Sequence, residues 1–471
     1  MLFNSIPFLL LFALTYCIYW ISAQKWRKYI LLLSSIVFYS YNSPYLMLHF
    51  GAVIAVNYLF AEQLLKRKLA GQDTGSLIRL NILLNLANLF LFKYFYFFCD
   101  MAYLLTGKNE AVREFSTFVH IALPLAISFY TFQIIAYQAD IHRGKILNSI
   151  SFTDYSVFIL FFPQLIAGPI MRSEEFLPLL EKPVYSDDYV KNGILLILTG
   201  LLKKVVIADT VSGIINPVFS AHNEYSGPAL FLATLGFAIQ VYSDFSGYSD
   251  MARGLAFLLG FDIPVNFRGP FLSQSFTELW SRWHITLSTW LRDYLYIPLG
   301  GNRDGHSGRN MMITMSLGGL WHGANISFFL WGFYLGLLLY IERVFVQFRK
   351  KEGDPAVKKF SIFRAVPVFI IFSLSGVFFR TGILGINSIL VCYEFYLRMF
   401  SFSAGKMVYR YEELIFYILF GYLLNALEYS ETALSGLRKF REILIPVYSV
   451  CILLLLGLFG DGGGDFIYFQ F

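Results

Sequence analysis

Long apolar runs follow one another along almost the whole of this 471-residue chain. A helix needs about 20 mostly apolar residues to cross a bilayer, and somewhat fewer where the bilayer thins. The runs cover roughly residues 5–21, 29–42, 44–62, 78–104, 117–138, 155–170, 190–207, 226–243, 311–341, 365–379, 383–399, 412–427 and 443–459. They predict an all-α polytopic membrane protein of about eleven to thirteen membrane helices, with one or two runs interfacial or re-entrant.

The composition supports a membrane protein and excludes several other classes. Hydrophobic residues make up 57% of the chain and charged residues 14%, whereas about a quarter of an average soluble domain is charged. Aromatic residues reach 19%, an excess that suits lipid-facing surfaces and the headgroup belt. Disorder, collagen, coiled coil and a small secreted scaffold are excluded. The net charge of +6 indicates basic cytoplasmic loops and predicts no nucleic-acid partner.

Basic clusters give a partial topology. Three of them lie at residues 25–28, 66–68 and 142–145, and the strongest lies at 343–364. Placing basic loops in the cytoplasm puts the N-terminus outside. No basic residue precedes Lys25, so the first run is expected to remain as a membrane segment rather than act as a cleaved signal. Without an internal repeat or a long linker, residues 1–471 are expected to form one membrane domain.

Polar residues interrupt the apolar pattern between residues 240 and 323. Asp244 and Asp250 lie in an apolar neighbourhood, and a carboxylate at membrane depth is a functional-site candidate by default. They could instead cap or brace the backbone around Gly247, which we consider the better interpretation.

The segment 275–297 has the period of an amphipathic helix. It is too polar to cross a bilayer, and its tryptophans and arginines are typical of a helix lying at the membrane surface. His284 falls near the boundary between its two faces. The apolar face comprises Phe276, Leu279, Trp280, Trp283, Leu287, Trp290, Leu291 and Tyr294.

His322 lies beside Trp321 and three glycines inside the apolar run 311–341. An imidazole at membrane depth points to proton handling, a ligand site or a metal. An interhelical hydrogen bond explains it equally well on the sequence alone. The remaining histidines lie near predicted segment ends or in loops: His49, His120, His142, His222 and His306. The four cysteines are widely spaced, which favours buried free thiols over disulfides or a metal site.

Several motifs together resemble the membrane-bound O-acyltransferase family, and within it the bacterial branch that O-acetylates alginate. The resemblance spans nearly the full length. Its motifs lie at residues 1–5, 123–133, 162–169 with Arg172, 242–252, 282–288, 290–294, 296–301, 318–323 and 466–471. Phe271, Leu279 and Thr286 differ from the residues expected at those motif positions, whereas both histidines match the motifs.

The resemblance implies a helical wall around a central tunnel that joins a cytoplasmic donor to an external acceptor, with a catalytic core at about residues 120–345. It implies that His322 is the catalytic histidine and that His284 belongs to the same core. It implies acetyl-CoA as the acyl donor, with no bound cofactor or metal. The further partners implied are membrane lipid, a polysaccharide acceptor such as alginate and an extracytoplasmic acetyltransferase. The expected location is the bacterial inner membrane.

Acyl transfer to a hydroxyl needs a base, a role that suits His322. Trp321, backbone N–H groups at residues 318–323 and His284 are candidate donors to the oxyanion. Asp244, Arg282 and Arg292 are further substrate-binding candidates. The two arginines would attract the phosphates of CoA, or would reach lipid phosphates instead.

Two alternatives remain open at the level of the sequence. The same machinery could acylate peptidoglycan, cellulose, teichoic acid or a lipid. A secondary transporter would also place Asp and His in the membrane, although it would usually show two related halves.

Overall fold

The computed structural model describes the chain apart from residues 2, 4, 42, 108–109, 112–113, 116–120, 304, 352–359, 431–440, 460–465 and 467–471. The described residues form helices joined by turns, with one isolated β-bridge between Tyr225 and Lys406. The all-α prediction is therefore confirmed. Lys358, Lys359, His120 and all of the C-terminal motif except Phe466 lie outside the described residues.

The chain divides into two compact units. The first comprises residues 1–197 and 249–264, and the second comprises residues 198–248 and 265–471. Two helices, α9 (Asp187–Leu201) and α11 (Gly227–Leu258), contribute residues to both units. The expectation that the whole chain acts as one membrane domain stays a prediction.

The first unit holds the helices that precede α9. They are α1 (Ile6–Ile21), α2 (Gln24–Ser40), α3 (Pro44–Leu69), α4 (Gly75–Leu89), α5 (Phe95–Leu105), α6 (Ile127–His142), α7 (Phe152–Leu160) and α8 (Ser173–Glu181). A π-helical turn, Phe90–Tyr94, joins α4 to α5 without a break.

The second unit holds the remaining helices. They are α10 (Thr210–Ser220), α12 (Phe276–Arg282), α13 (Ile285–Leu291), α14 (Ser307–His322), α15 (Ile326–Lys351), α16 (Ile362–Thr381), α17 (Ser388–Phe400), α18 (Tyr411–Tyr429) and α19 (Arg441–Phe459). Two π-helical stretches, Leu202–Asp209 and Arg292–Tyr296, follow α9 and α13.

Five helices among the described residues are long and apolar enough to cross a membrane. They are Pro44–Leu69, Gly75–Tyr103, Gly227–Leu258, Ile326–Val346 and Ile362–Leu384. Two shorter apolar helices, Ile6–Ile21 and Ile445–Gly457, accompany them. The predicted total of eleven to thirteen membrane helices stays a prediction.

Three predicted continuous segments are interrupted in the structure. The run 155–170 leaves the helix after Leu160, because Phe162 precedes Pro163 and that position disfavours helical backbone. The run 311–341 is two helices, since α14 ends at His322 and α15 begins at Ile326. The amphipathic segment 275–297 breaks at Trp283 and His284, between α12 and α13.

Glycines allow α14 and α15 to pack backbone against backbone. A Cβ atom at Gly319 would clash with the Phe328 carbonyl oxygen, at 2.2 Å. A Cβ atom at Gly332 would clash with the Met315 carbonyl oxygen, also at 2.2 Å. At Gly323 a Cβ would overlap the ring of Phe328. Small residues are what such close helix crossings require, so the glycines that flank His322 set the geometry of this hairpin.

Replacing Gly319 by Ala is expected to lower the free energy of unfolding by about 1–3 kcal/mol, because a side chain there overpacks the helix crossing. Gly213→Ala is the matched control. It lies on α10 with nothing within 4 Å of its would-be Cβ, so alanine should be neutral or stabilise the helix by up to about 1 kcal/mol. Thermal unfolding of the detergent-purified variants measures both. Equal effects at the two positions would contradict the close crossing.

Candidate active site with two buried histidines

His284 occupies a strained position between two short helices. Ser275 caps α12 by accepting a hydrogen bond from the Glu278 N–H at 3.0 Å, and α12 ends at Arg282. Trp283 is extended, and His284 has φ 42° and ψ 54°, in the left-handed region. A non-glycine residue persists there, at a cost of about 1–3 kcal/mol, only when its surroundings hold it.

Asn266 makes several of the hydrogen bonds that keep His284 in this conformation. Its carbonyl oxygen accepts the Ile285 N–H at 2.9 Å. Its side-chain Oδ1 accepts the Thr286 N–H at 3.3 Å, the Thr286 hydroxyl at 3.0 Å and His284 Nδ1 at 3.2 Å. The first N–H groups of a helix lack partners within the helix. Asn266 therefore acts as a cap for α13 from 18 residues earlier in the chain.

The same contacts assign the tautomer of His284. A backbone N–H only donates, so the Asn266 atom that it meets is the oxygen and His284 Nδ1 carries the hydrogen that bonds to it. In a neutral ring Nε2 then holds a lone pair. Nε2 is buried and has no hydrogen-bond partner among the described residues. Burial lowers the pKa of His284 to about 3, so the ring is neutral near pH 7.

His322 is the last residue of α14, 5% exposed, and stands among aromatic rings. Its ring centroid lies 5.0 Å from Trp321, 5.1 Å from Trp331 and 5.2 Å from Phe379. The Trp331 indole N–H donates to Ser375 Oγ at 3.1 Å, which fixes that indole. Aromatic packing thus confines the imidazole of His322 in a largely apolar setting.

The structure brings His284 and His322 together. Their ring centroids are 6.5 Å apart, and the Trp321 ring lies 5.9 Å from His284. Even with a nitrogen of each ring aimed at the other, the gap exceeds the roughly 2.7–3.2 Å of a hydrogen bond. One hydroxyl or water oxygen between the rings would span it.

A cavity of about 30 Å³ adjoins His322. His322 and Trp331 form part of its wall, and α11 and α16 supply most of the remainder. The wall is chiefly aromatic and aliphatic. The site therefore combines a buried imidazole with a small apolar space next to it.

The side chains of Arg282 and Arg292 each pair with a neighbouring carboxylate. Arg282 Nε donates to Glu278 Oε1 at 3.0 Å, and the guanidinium lies 4.0 Å from the centre of the Tyr429 ring. Arg292 donates to both carboxylate oxygens of Asp293, at 2.7 and 3.2 Å, and is 60% exposed. A CoA-binding role for either arginine stays a prediction.

Asp244 is buried and forms an ion pair with Lys204 at 2.8 Å. Lys204 also binds Asp209 at 2.7 Å. The neighbouring Lys203 pairs with Glu428, which accepts a hydrogen bond from Tyr242. The partner of Asp244 is thus a lysine side chain. Bracing of the backbone around Gly247, which we favoured, and contact with substrate both stay predictions. The next residue, Phe245, does reach the histidine pair, with its ring 4.7 Å from that of His284.

The sequence did not point to Asn266, Trp331, Phe379 or Ser375. Asn266 lies in a connecting stretch outside any recognisable pattern, and its relation to His284 follows only from the fold. The other three belong to ordinary apolar helices. Lys203 and Lys204 are recognisable from the sequence, because two adjacent lysines inside the apolar run 190–207 require buried partners.

Among the described residues, no three His, Cys, Asp or Glu side chains are grouped so that they could hold a metal ion.

Comparison with known proteins indicates one family. Residues 76–393, which include both histidines, match the model of the membrane-bound O-acyltransferase family. The chain is 37% identical over 417 residues to the probable alginate O-acetylase AlgI of Pseudomonas aeruginosa, covering 86% of this chain and 76% of that protein.

Two further relatives are named for other acceptors. The peptidoglycan O-acetyltransferase of Helicobacter pylori is 33% identical over 404 residues, covering 77% of this chain and 75% of that protein. The teichoic acid D-alanyltransferase of Bacillus subtilis is 27% identical over 272 residues, covering 55% of this chain and 68% of that protein.

The neutral state of His284 predicts a pH dependence of stability. Its pKa falls from 6.5 in the unfolded chain to about 3 in the fold. Between these values the unfolded chain binds a proton that the folded chain does not, so stability falls as the pH decreases from 6.5. The stability of the wild type relative to His284→Gln should therefore drop by roughly 2 kcal/mol between pH 6.5 and about pH 5. Unfolding midpoints at several pH values measure this difference, and a constant difference would contradict a buried neutral imidazole.

Proposed function

The chain belongs to the membrane-bound O-acyltransferase family, and on that basis we propose that it transfers an acetyl group from cytoplasmic acetyl-CoA toward an exopolysaccharide such as alginate. It is an acyltransferase and a multi-pass membrane protein. The alginate O-acetylase name of its relative in P. aeruginosa supports the acetyl group and the acceptor. The observation that carries the proposal is the pair of buried imidazoles, 6.5 Å apart, beside the small cavity.

His322 is the proposed base. An acceptor hydroxyl is a weak nucleophile at neutral pH, so its proton must leave as its oxygen attacks the acetyl carbonyl carbon. A C–O bond forms, the C–S bond of the thioester breaks, and the proton passes through His322 to the sulfur of departing CoA. The cavity next to His322 would hold the acetyl group during this exchange.

His284 is proposed to orient the acceptor hydroxyl. Its Nδ1 hydrogen is committed to Asn266, so it offers the lone pair of Nε2 and no further donor. A hydroxyl lying between the rings would donate to one imidazole or the other. The oxyanion would then depend on Trp321 and on backbone N–H groups of residues 318–323, rather than on His284.

The path across the membrane is also part of the proposal. We propose about eleven to thirteen membrane helices around a tunnel in the bacterial inner membrane, with acetyl-CoA entering from the cytoplasm. An extracytoplasmic acetyltransferase would receive the group and pass it to the polymer. A peptidoglycan acceptor is the second candidate, favoured by the 33% identical relative in H. pylori.

Replacing His322 by Ala is expected to reduce free thiol release from acetyl-CoA by at least about 100-fold, the scale of lost general-base catalysis. His284→Ala should reduce it by a comparable factor. His222→Ala is the matched control, because His222 is also a buried histidine of the second unit but pairs with Glu394 at 3.3 Å. The assay uses detergent-purified protein, with the extracytoplasmic partner and acceptor present. Full activity of His322→Ala with folding confirmed would refute the proposal.

The variant Asn266→Ala is expected to slow thiol release about tenfold. It removes a buried hydrogen-bond acceptor of His284, a loss that costs about 1–3 kcal/mol. Asn266→Asp keeps the accepting oxygen and raises the pKa of His284 through its charge, so its pH–rate profile should differ from that of the wild type. Asn425→Ala is the control. Asn425 is another buried amide, and it accepts the Phe271 N–H at 3.1 Å without touching His284. Equal losses from Asn266→Ala and Asn425→Ala would indicate a merely structural role.

A further inference from the structure

Two adjacent lysines, Lys203 and Lys204, lie buried in the second unit. They belong to the π-helical stretch Leu202–Asp209 that follows α9, and their side chains are 3% and 7% exposed. A buried ammonium is strongly unfavourable unless anions pair with it. π-helical backbone is rare and is found frequently at functional sites. Acyl transfer through His322 and His284 uses neither lysine, so their burial needs another explanation.

Lys203 connects the π-helical stretch to two helices. Its ammonium forms an ion pair with Glu428, one residue before the end of α18, and donates to Ser246 Oγ of α11 at 2.8 Å. The Tyr242 hydroxyl, also on α11, donates to the same Glu428 carboxylate. Glu428 is therefore shared by the π-helical stretch and α11.

Lys204 makes a second connection to the same part of α11. Its ammonium pairs with Asp244 at 2.8 Å and with Asp209, the last residue of the π-helical stretch, at 2.7 Å. The lysines thus reach α11 within little more than one helical turn. The charged side chains of this lysine network are Lys203, Lys204, Asp209, Asp244 and Glu428.

Gly247 brings the backbone of α11 into direct contact with the segment that carries the lysines. A Cβ atom there would come within 2.7 Å of the Gly200 carbonyl oxygen and 3.1 Å of the Lys204 backbone nitrogen. No layer of side chains separates the two backbones at this point. Such close packing, together with the ion pairs, leaves α11 little freedom to shift.

The same turn of α11 also contacts the break at His284. The Phe245 ring lies 4.7 Å from the His284 ring. The Tyr242 ring lies 6.2 Å from that of Trp283, the residue before His284. Phe267 packs on both sides of this contact, 5.1 Å from Phe245 and 5.2 Å from Trp283. A displacement of α11 would therefore move the ring that packs on the imidazole.

We propose that Lys203 and Lys204 are positioning residues for His284. The lysine network fixes α11, and α11 holds the Phe245 ring against the imidazole, so that Nε2 stays where an acceptor hydroxyl would meet it. Asp244 then acts through Lys204 and not by contact with substrate. The inference rests on the proposed function of the two histidines, and it adds residues that act on one of them through a helix.

The test measures thiol release from acetyl-CoA by detergent-purified protein, with the extracytoplasmic partner and acceptor present. Lys203→Met and Lys204→Met keep much of the aliphatic stem and remove the charge. Each should lower kcat at least about tenfold and leave KM for acetyl-CoA within about twofold, because a displaced catalytic group slows the reaction without removing ground-state binding. A raised KM with unchanged kcat would indicate direct binding of CoA and overturn the proposal.

A double variant separates positioning from stability. Removing Lys203 alone leaves the Glu428 charge unpaired, which destabilises the fold. Lys203→Met/Glu428→Gln removes that charge and keeps an amide oxygen that can accept the Tyr242 hydroxyl, so its unfolding midpoint should return toward that of the wild type. Its kcat should stay low, because the connection from Lys203 to α11 is still missing. Recovery of kcat together with the unfolding midpoint would indicate a merely structural role.

Phe245→Leu tests the route through α11. If Lys203 acts through the Phe245 ring, adding Phe245→Leu to the double variant should lower kcat little further, since residues that act through one another are non-additive. Losses that multiply would show that Lys203 acts independently of Phe245, which would contradict the proposal.

Arg398→Met is the matched control. Arg398 is a half-buried cation of the second unit, and its guanidinium donates to the Tyr225 carbonyl oxygen at 3.0 Å, just before the start of α11. Its loss should lower the unfolding midpoint and leave kcat unchanged, because the contact lies far along α11 from Phe245. A loss of kcat equal to that of the lysine variants would overturn the proposal.

A His322→Ala arm separates the positioning role from the proposed function. If thiol release requires His322 but neither lysine variant lowers kcat, the positioning role is overturned while the proposed function stands. If the wild type releases no thiol, the proposed function fails and the positioning role fails with it.

Discussion

The hydrogen bonds that Asn266 accepts are the constraint on which the candidate site depends. Its side-chain oxygen accepts hydrogen bonds from His284 Nδ1 and from the N–H and the hydroxyl of Thr286. Its carbonyl oxygen accepts the Ile285 N–H. One amide therefore begins α13, holds His284 in left-handed backbone and selects its tautomer. Without it, the break between α12 and α13 would leave buried N–H groups unpaired.

The position of His322 depends on the close packing of α14 against α15. Gly319 and Gly332 let α14 and α15 approach backbone to backbone, and this brings Trp331 against His322. The resulting surroundings are apolar, which strengthens any electrostatic interaction made inside them. A base that must take a proton from a hydroxyl and pass it to a sulfur benefits from such a dry, fixed position.

The sequence predicted the helical fold class from its hydropathy, and the family resemblance implied that His284 and His322 belong to one core. The structure places the two rings 6.5 Å apart, and the catalytic role of either histidine stays a prediction. The sequence did not predict the break at His284, since the three- and four-residue spacing of apolar side chains continues from Phe276 to Tyr294 as if one helix ran through. Asn266 was missed because its function arises from a contact across 18 residues. The end of α14 at His322 was missed because the apolar run continues on both sides of Gly323. A local signal was present, since Asn325 Oδ1 accepts the Ser327 N–H at 2.9 Å at the start of α15.

The proposed function requires His284 and His322 to act as one catalytic unit. The most direct measurement compares acetyl-transfer rates of His284→Gln, His322→Gln and the double variant. Groups that act as a unit are strongly non-additive, so the double variant should be no slower than the slower single variant. Losses that multiply in the double variant would show two independent contributions and contradict the claim.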